Sequence, residues 1–305
     1  MVAETTLVIG VFDGVHRGHQ QLMTSARSIA DQRGGDLVAV SFDPHPVAVL
    51  HPERFEGLLT LPARRAELLR TCGADRVEYL TFNQALRDME PADFARDVLR
   101  DHLNATAVVV GRNFTFGRKA AGTVVDLEQL GEQLGFAVAA SDLAGDGQTW
   151  SSTRARHAVL AGDVAIAAQV LGRPHRLTGV VVHGDHRGRT LGYPTANVDG
   201  LGDLIVPADG VYAAVVTRAG DVHAAAVSIG TNPTFGDVVE RRVEVHVLDR
   251  HDLDLYGQTL DVDLLAHIRG MEAFGGVDEL LAAMARDIEQ ARVHTADFAA
   301  GRHHW

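Results

Sequence analysis

His16 and His19 stand three apart, split by Gly18, directly after the apolar run Thr6–Val11 (TLVIGV). The segment reads Gly10-Val-Phe12-Asp13-Gly-Val-His16-Arg-Gly18-His19. Phe12-Asp13-Gly14 turns the chain, and His19 opens an amphipathic stretch, so both imidazoles fall at a helix entry. Free N–H groups and the positive dipole end make a helix N-terminus suitable for phosphate. Gly18 lets a phosphate approach the backbone closely. Imidazoles there can donate hydrogen bonds to a phosphoryl group whose charge changes as a bond breaks. Two surface histidines on a turn are the plain alternative; the strand before and the helix after favour the phosphate reading. Three more segments follow apolar runs or open helical ones: Ser41–Pro46 with His45, Gly111–Gly117 with Asn113, and Ser151–Arg156 with Ser152, Thr153 and Arg156. Open parallel sheets bind ligands at their strand ends. The competing readings are a rigid Pro-His-Pro turn, phenylalanines buried in a core, and a helix N-cap.

A second constellation begins at Gly179 and runs VVVHGDHRGRTLGYPTAN. Gly184, Gly188 and Gly192, interleaved with Arg187 and Arg189, can wrap phosphates through backbone N–H groups. Thr195 and Asn197 are two apart, so in an extended segment both oxygens reach one Mg²⁺–nucleotide. A glycine-rich hairpin with a turn-stabilising asparagine fits the spacing equally. Further on, the alternation of RRVEVHVL sets Glu244 on the face opposite Val243 and Val245, as any outward polar strand residue would be.

These residues need elements to position them. The first half alternates short apolar runs (6–11, 37–42, 76–82, 107–111, 136–140) with helical stretches (19–32, 63–72, 91–103, 125–134), which predicts an α/β fold with a parallel sheet. Helical pieces over 151–171 join it to a second half. There the segments 180–183, 211–217, 223–229, 242–248 and 259–265 are β-rich and punctuated by Gly, Pro and Asp, which predicts a small antiparallel barrel or sandwich. An apolar stripe of Val277, Leu280, Leu281, Met284 and Ile288 predicts a closing helix over 277–296. The expected boundary lies between 172 and 173.

The whole is 305 residues, with 28 Lys+Arg against 40 Asp+Glu and a formal net charge of −12. That balance lacks the basic stripe of a nucleic-acid binder and disfavours an anionic membrane surface. No run approaches the ~18 apolar residues that would span a bilayer. The N-terminal stretch lacks a basic, apolar leader, and the single cysteine, Cys72, makes no intrachain disulfide. Together they predict a cytoplasmic protein in a reducing compartment.

The segment around His16 and His19 resembles the HxGH nucleotidylyltransferases. More narrowly it is similar to the N-terminal module of prokaryotic bifunctional riboflavin kinase/FMN adenylyltransferases (FAD synthetases), whose signature is GxFDGVHxGH. The segments at His45, Asn113 and Ser152-Thr153-Arg156 fit the same family. GRTLGYPTAN, Asp209–Tyr212, Ser228–Phe235, Val243–His246 and Asp254–Gly257 fit its riboflavin kinase module in order. The resemblance implies a Rossmann-like nucleotidylyltransferase domain over 1–172 and a six-stranded antiparallel β-barrel kinase domain with a terminal helix over 173–305. It implies phosphorylation of riboflavin to FMN, with release of ADP, then adenylylation of FMN to FAD with release of pyrophosphate. ATP is co-substrate and Mg²⁺ the metal.

By the same resemblance His16 and His19 act on the ATP phosphates. Gly10, Phe12, Asp13, Gly18, Ser152, Thr153 and Arg156 belong to that ATP site, and Gly184, Arg189, Thr195 and Asn197 to the second. Thr195 and Asn197 also hold the metal. His45, Asn113, Arg269 and Met271 lie on the flavin side, and Glu244 is the general base for the ribityl hydroxyl. One departure stands out. The family usually has isoleucine where this chain has Trp150 and often arginine where it has Thr149. Losing that arginine removes a charge-assisted donor. It leaves open a paralogue with an active kinase and a weak or re-targeted transferase, while a flavin binder without turnover is a further alternative. Self-association is left open by the sequence.

Overall fold

The computed structural model of the chain describes residues 4–142, 145–184, 192–231, 241–250 and 252–299. Two compact units divide it, Met1–Ser152 and Thr153–Trp305.

In the first unit, strands β1 (Thr5–Ile9), β2 (Asp36–Asp43), β3 (Arg76–Thr81), β4 (Ala107–Gly111) and β5 (Ala137–Ser141) form one sheet in the order β3-β2-β1-β4-β5. Every neighbouring pair is parallel. Period-two alternation feeds two cores. Leu7 and Ile9 of β1, Val38 and Val40 of β2, and Val108 and Val110 of β4 pack with Phe94, Leu99, Phe116 and Leu127 on one face. Val8, Leu37, Ala39 and Val109 pack with Leu22, Met23, Ala26 and Leu69 on the other. Helix α1 (Arg17–Arg33) ends where Gly34 takes a left-handed φ of 69° and returns its N–H to the Ala30 and Asp31 carbonyls.

Short helices α2 (Pro46–Leu50), α3 (Pro62–Thr71), α4 (Gln84–Arg87) and α5 (Pro91–Asp93) follow, the last running into a π-helical stretch, Phe94–His102. The sequence pattern predicts an α-helix there; the observed pairing is i to i+5, as from Leu103 N–H to the Val98 carbonyl. Helix α6 (Val124–Leu134) starts on a capping box of Thr123 and Asp126. Because β2 and β3 wind to one side of β1 and β4 to the other, the winding reverses between β1 and β4. A crevice for ligand opens at such a switch point, at the carboxyl ends of the strands.

Helices α7 (Ser152–Leu160) and α8 (Val164–Leu171) lead into the second unit. Its strands are β6 (His175–Val182), β7 (Ala196–Asp199), β8 (Gly210–Arg218), β9 (Asp221–Thr231), β10 (Arg241–Val247) and β11 (Thr259–Arg269). They close into a barrel in the order β10-β7-β6-β11-β8-β9, antiparallel at every seam. The barrel is filled by Leu177, Val181, Val198, Val227, Ile229, Val243, Val245 and Val262. The alternate residues of the same strands face outward. Helix α9 (Val277–Ala299) covers part of that outside, with Ala291 and Ile288 against Ala213, Ala226 and Leu248. The predicted α/β sheet and antiparallel barrel with a closing helix are thus both present. Strand β7, four residues long, is not among the elements the sequence pattern marks.

Candidate functional sites

At the carboxyl ends of β1, β2, β4 and β5 the first unit holds a cavity of about 1230 Å³, lined among others by Gly10, Phe12, His16, Gly18, His19 and Asn113. That exceeds the ~300–1,000 Å³ usual for one small ligand, so it can seat two substrates. His16 caps α1: its Nδ1 accepts the His19 backbone N–H at 3.3 Å. A ring nitrogen that accepts carries no proton, so in the neutral ring Nε2 bears the N–H. The two imidazoles stack with centroids 3.6 Å apart, and Phe12 meets His19 edge-on at 5.1 Å. Gly18 keeps this corner close-packed: a Cβ there would lie 3.1 Å from His16 Cε1 and 3.4 Å from the Trp150 carbonyl oxygen.

Asp13 is wholly buried and turned away from this cavity. Its carboxylate accepts the N–H groups of Leu59 (3.0 Å) and Thr60 (3.1 Å), and buried Arg65 stands 3.7 Å away. The hydroxyl of Thr60 returns to accept the Gly14 N–H at 3.0 Å. The residue therefore fixes the turn that carries the histidines. Ser152 Oγ donates to the Asp13 carbonyl at 2.7 Å, tying the start of α7 to that turn. Thr153 and Arg156 follow along α7, in the second compact unit. His45 caps α2, its Nδ1 accepting the Val47 N–H at 3.1 Å, and the cavity wall beside it is Pro46. Phe42, Phe82, Phe114, Phe116 and Trp150 give the wall an aromatic part. Trp150 also lies under the Arg17 guanidinium at 5.9 Å. Its place in the wall is a feature that sequence reasoning did not assign.

On the barrel, one register row runs Val182–Asn197–Glu244–Ser228–Val211–Arg269 across six strands. Glu244 is thus directly opposite Asn197, on the outer face that the alternation predicts. Gly184 packs so closely on Asn197 that an added Cβ would sit 2.1 Å from its Nδ2. His246, two residues beyond Glu244 on the same face, is buried and bonds the Pro194 carbonyl through Nδ1 at 2.8 Å. Accepting oxygen makes Nδ1 the donor, so His246 steadies the segment leading to Thr195. The period-two spacing from Glu244 was the available signal for it. His183 and Tyr256 stack at 4.0 Å where β6 ends.

Arg269 is bound to Asp287 of α9 by Nε (2.9 Å) and Nη2 (2.8 Å), donates to the Gly270 carbonyl, and lies 5.5 Å above the Phe274 ring. The pairing with Asp287 holds its pKa above the ordinary arginine value. Its guanidinium is thereby committed to anchoring α9 and residues 270–274. Met271 lies against Gly230, where an added Cβ would meet Met271 Cε at 3.1 Å. Arg189, Arg187, Gly188 and Asn232–Phe235 lie outside the described residues.

Stacked imidazoles at a switch-point crevice in one unit, and a carboxylate paired across strands with an asparagine in the other, give the chain two candidate sites, as a two-centre enzyme would have. The family described as FAD synthetase matches residues 2–154, and that described as riboflavin kinase matches 171–295. The bifunctional riboflavin kinase/FMN adenylyltransferase of Pseudomonas fluorescens is 38% identical, covering 95% of this chain and 93% of its own. That of Listeria monocytogenes is 33% identical, covering 95% and 92%. A crystal structure described as a macrolide-efflux protein from Streptococcus pneumoniae has a TM-score of 0.88 at 34% identity, covering 96% of this chain and 95% of that one. Among the described residues no helix is long and apolar enough to cross a membrane. The chain belongs to the bifunctional riboflavin kinase/FMN adenylyltransferase family. It phosphorylates riboflavin to FMN and adenylylates FMN to FAD, with ATP as co-substrate of both steps. These matches favour the two-activity reading over a kinase with a re-targeted first module.

Proposed function

We propose that the two reactions are housed apart: adenylyl transfer in the first unit's cavity, and phosphoryl transfer on the outer barrel face at Glu244. The imidazole stack in the wall of an aromatic cavity supports the first assignment most directly. There a phosphate oxygen of FMN attacks the α-phosphorus of ATP, the bond to the β-phosphate oxygen breaks, and pyrophosphate leaves. No protein nucleophile takes part. The Nε2–H of His16 and the His19 ring donate to oxygens that gain charge as the bond breaks, which is where fixed donors lower a barrier. Gly10, Phe12 and Gly18 shape the approach to ATP, and Ser152 lies toward its triphosphate. Asp13 serves by bracing the turn. Asn113 and the His45 segment border the flavin.

On the barrel, Glu244 takes the proton of the ribityl 5′-hydroxyl as that oxygen attacks the γ-phosphorus and ADP departs. Gly184 and Arg189 contact the nucleotide phosphates. The cross-strand pairing of Glu244 with Asn197 supports this assignment. Thr195 and Asn197 offer two neutral oxygen donors, and no group of three His, Cys, Asp or Glu residues able to hold a metal occurs among the described residues. That donor set fits Mg²⁺ arriving on phosphates rather than in a protein cage. Bound there, Mg²⁺ would neutralise phosphate charge. Met271 flanks the flavin, and Arg269 holds the segment that carries it.

A functional division near 172/173 is supported by family matches over 2–154 and 171–295, the second opening two residues before that point. The acidic balance, −12, supports small-molecule substrates rather than nucleic acid or an anionic membrane, and the lone cysteine supports a cytoplasmic setting. The test is a time course with riboflavin, ATP and Mg²⁺, and a parallel run from FMN. FMN appearing first and FAD after it is expected; FMN with no FAD from either start would sink the first assignment.

A further inference from the structure

The adenylyl-transfer cavity must bring together two polyanions, the FMN phosphate and the ATP triphosphate. Their repulsion has to be offset by cationic charge that the protein does not already neutralise. Three basic side chains line the cavity: Arg87, Arg118 and Lys119. Arg87 is paired with Asp88 at 3.5 Å, and Arg118 with Glu90. The lining carboxylate Asp142 is taken by Arg112 at 2.5 Å. Lys119 alone among these three cations has no acidic partner among the described residues, and it is the only lysine in the chain.

The backbone displays it at a cost. Lys119 and Ala120 both take left-handed φ, 56° and 57°. Side-chain-bearing residues disfavour that region. The surrounding loop holds them there: Arg118 N–H bonds the Met89 carbonyl (2.7 Å), Phe116 and Gly122 exchange both backbone bonds, and Gly117 lies against Pro91 with no room for a Cβ. The same connector, leaving β4, carries Asn113 and the parallel ring pair Phe114–Phe116 with centroids 5.8 Å apart. The ATP phosphates have their own donors at the start of α1, reached from β1.

We propose that Lys119 is a specificity-determining residue of the adenylyl-transfer step, its ammonium group binding the 5′-phosphate of FMN. The flavin ring lies on the aromatic side of the cavity, and the long lysine stem reaches back to the phosphate at the end of the ribityl chain. The unphosphorylated flavin gains nothing from this contact. The cavity therefore distinguishes the product of the kinase step from its substrate. This rests on the location of adenylyl transfer given above.

The full chain should be assayed as wild type, Lys119→Met, Lys119→Arg and Lys119→Gly. Lys119→Met should raise the KM for FMN about tenfold, one charge-assisted contact, with kcat and the KM for ATP within about twofold. Lys119→Arg should stay within about threefold of wild type, because it keeps the charge. Lys119→Gly relieves the left-handed backbone, yet should behave like Lys119→Met if charge is what matters. Riboflavin kinase rates serve as the folding control and should not move. In fluorescence titrations without ATP, read at Trp150 with Trp305→Phe as background, FMN affinity should fall in Lys119→Met while riboflavin affinity does not. An unchanged KM for FMN, or a rise confined to ATP, would overturn the proposal. Wild-type protein that makes no FAD would instead defeat the underlying location of the reaction, a distinguishable result.

Discussion

Asp13→Asn should cripple the first unit far more than a single-atom change suggests. In the wild type, one oxygen accepts two backbone N–H groups, from Leu59 at 3.0 Å and Thr60 at 3.1 Å, and the other shares the Leu59 N–H at 3.1 Å. Arg65, 1% exposed, faces this carboxylate and no other acid by ion pair among the described residues. Removing one partner of a buried pair costs roughly 3–5 kcal/mol. Asparagine keeps one acceptor oxygen, and Arg65 keeps the Phe42 and Thr60 carbonyls, so about 2–3 kcal/mol is expected. Against a usual stability of about 5–15 kcal/mol that is a large fraction.

The assay is urea unfolding of the full chain followed at Trp150, with Trp305→Phe removing the other tryptophan. At about 2 kcal/mol per molar urea, the midpoint should drop by roughly 1–1.5 M. FAD formation should fail at urea concentrations where FMN formation from riboflavin persists. A midpoint within about 0.3 M of wild type would refute the reasoning that this carboxylate, rather than hydrophobic packing alone, braces the histidine turn.

Other expectations follow from the same contacts. Gly184→Ala would place a Cβ 2.1 Å from Asn197 Nδ2 and so displace that side chain; riboflavin phosphorylation should fall by about tenfold or more while FAD formation from FMN is retained. Asp75 has its pKa lowered, first by the Leu37 N–H and then by Arg27. A lowered folded pKa contributes stability that is present above the unfolded value near pH 4 and is lost as pH falls through the folded value. Its side chain is about half exposed, so Asp75→Asn should cost only about 1 kcal/mol at pH 7, and the gap to wild type should close below about pH 4 in urea titrations. Trp150 emission should be quenched on FMN binding, since the indole lines the cavity; emission that ignores saturating FMN would place the flavin elsewhere.

Much of the architecture is legible because it is local. The run Thr6–Val11 followed by the His16 segment announces a strand, a turn and a helix entry. The alternation around Glu244 sets its face without any tertiary knowledge. The roles of Asp13 and Arg269 are not local. Their partners lie 46 residues away at Leu59 and 18 away at Asp287, so a pocket residue and a brace look identical in the chain. His45 carries a motif that reads as a flavin contact or as a rigid Pro-His-Pro turn, and only the observed Val47 bond reveals a helix cap. The π winding of 94–102 escapes a periodicity argument, because two turns are too few to tell it from an α-helix. Strand β7 spans only Ala196–Asp199 and follows a glycine-rich sequence, so hydrophobic pattern alone could not mark it.

The central claim is that one chain performs two reactions at separate sets of residues. The most direct measurement compares His16→Ala and Glu244→Gln in the full chain, each assayed from riboflavin and from FMN with ATP and Mg²⁺. The account predicts complementary losses. His16→Ala should accumulate FMN and make FAD at about 100-fold reduced rate or slower, and Glu244→Gln should make FAD from FMN but almost no FMN from riboflavin. Either variant losing both activities while folded, or neither losing its assigned one, would contradict it.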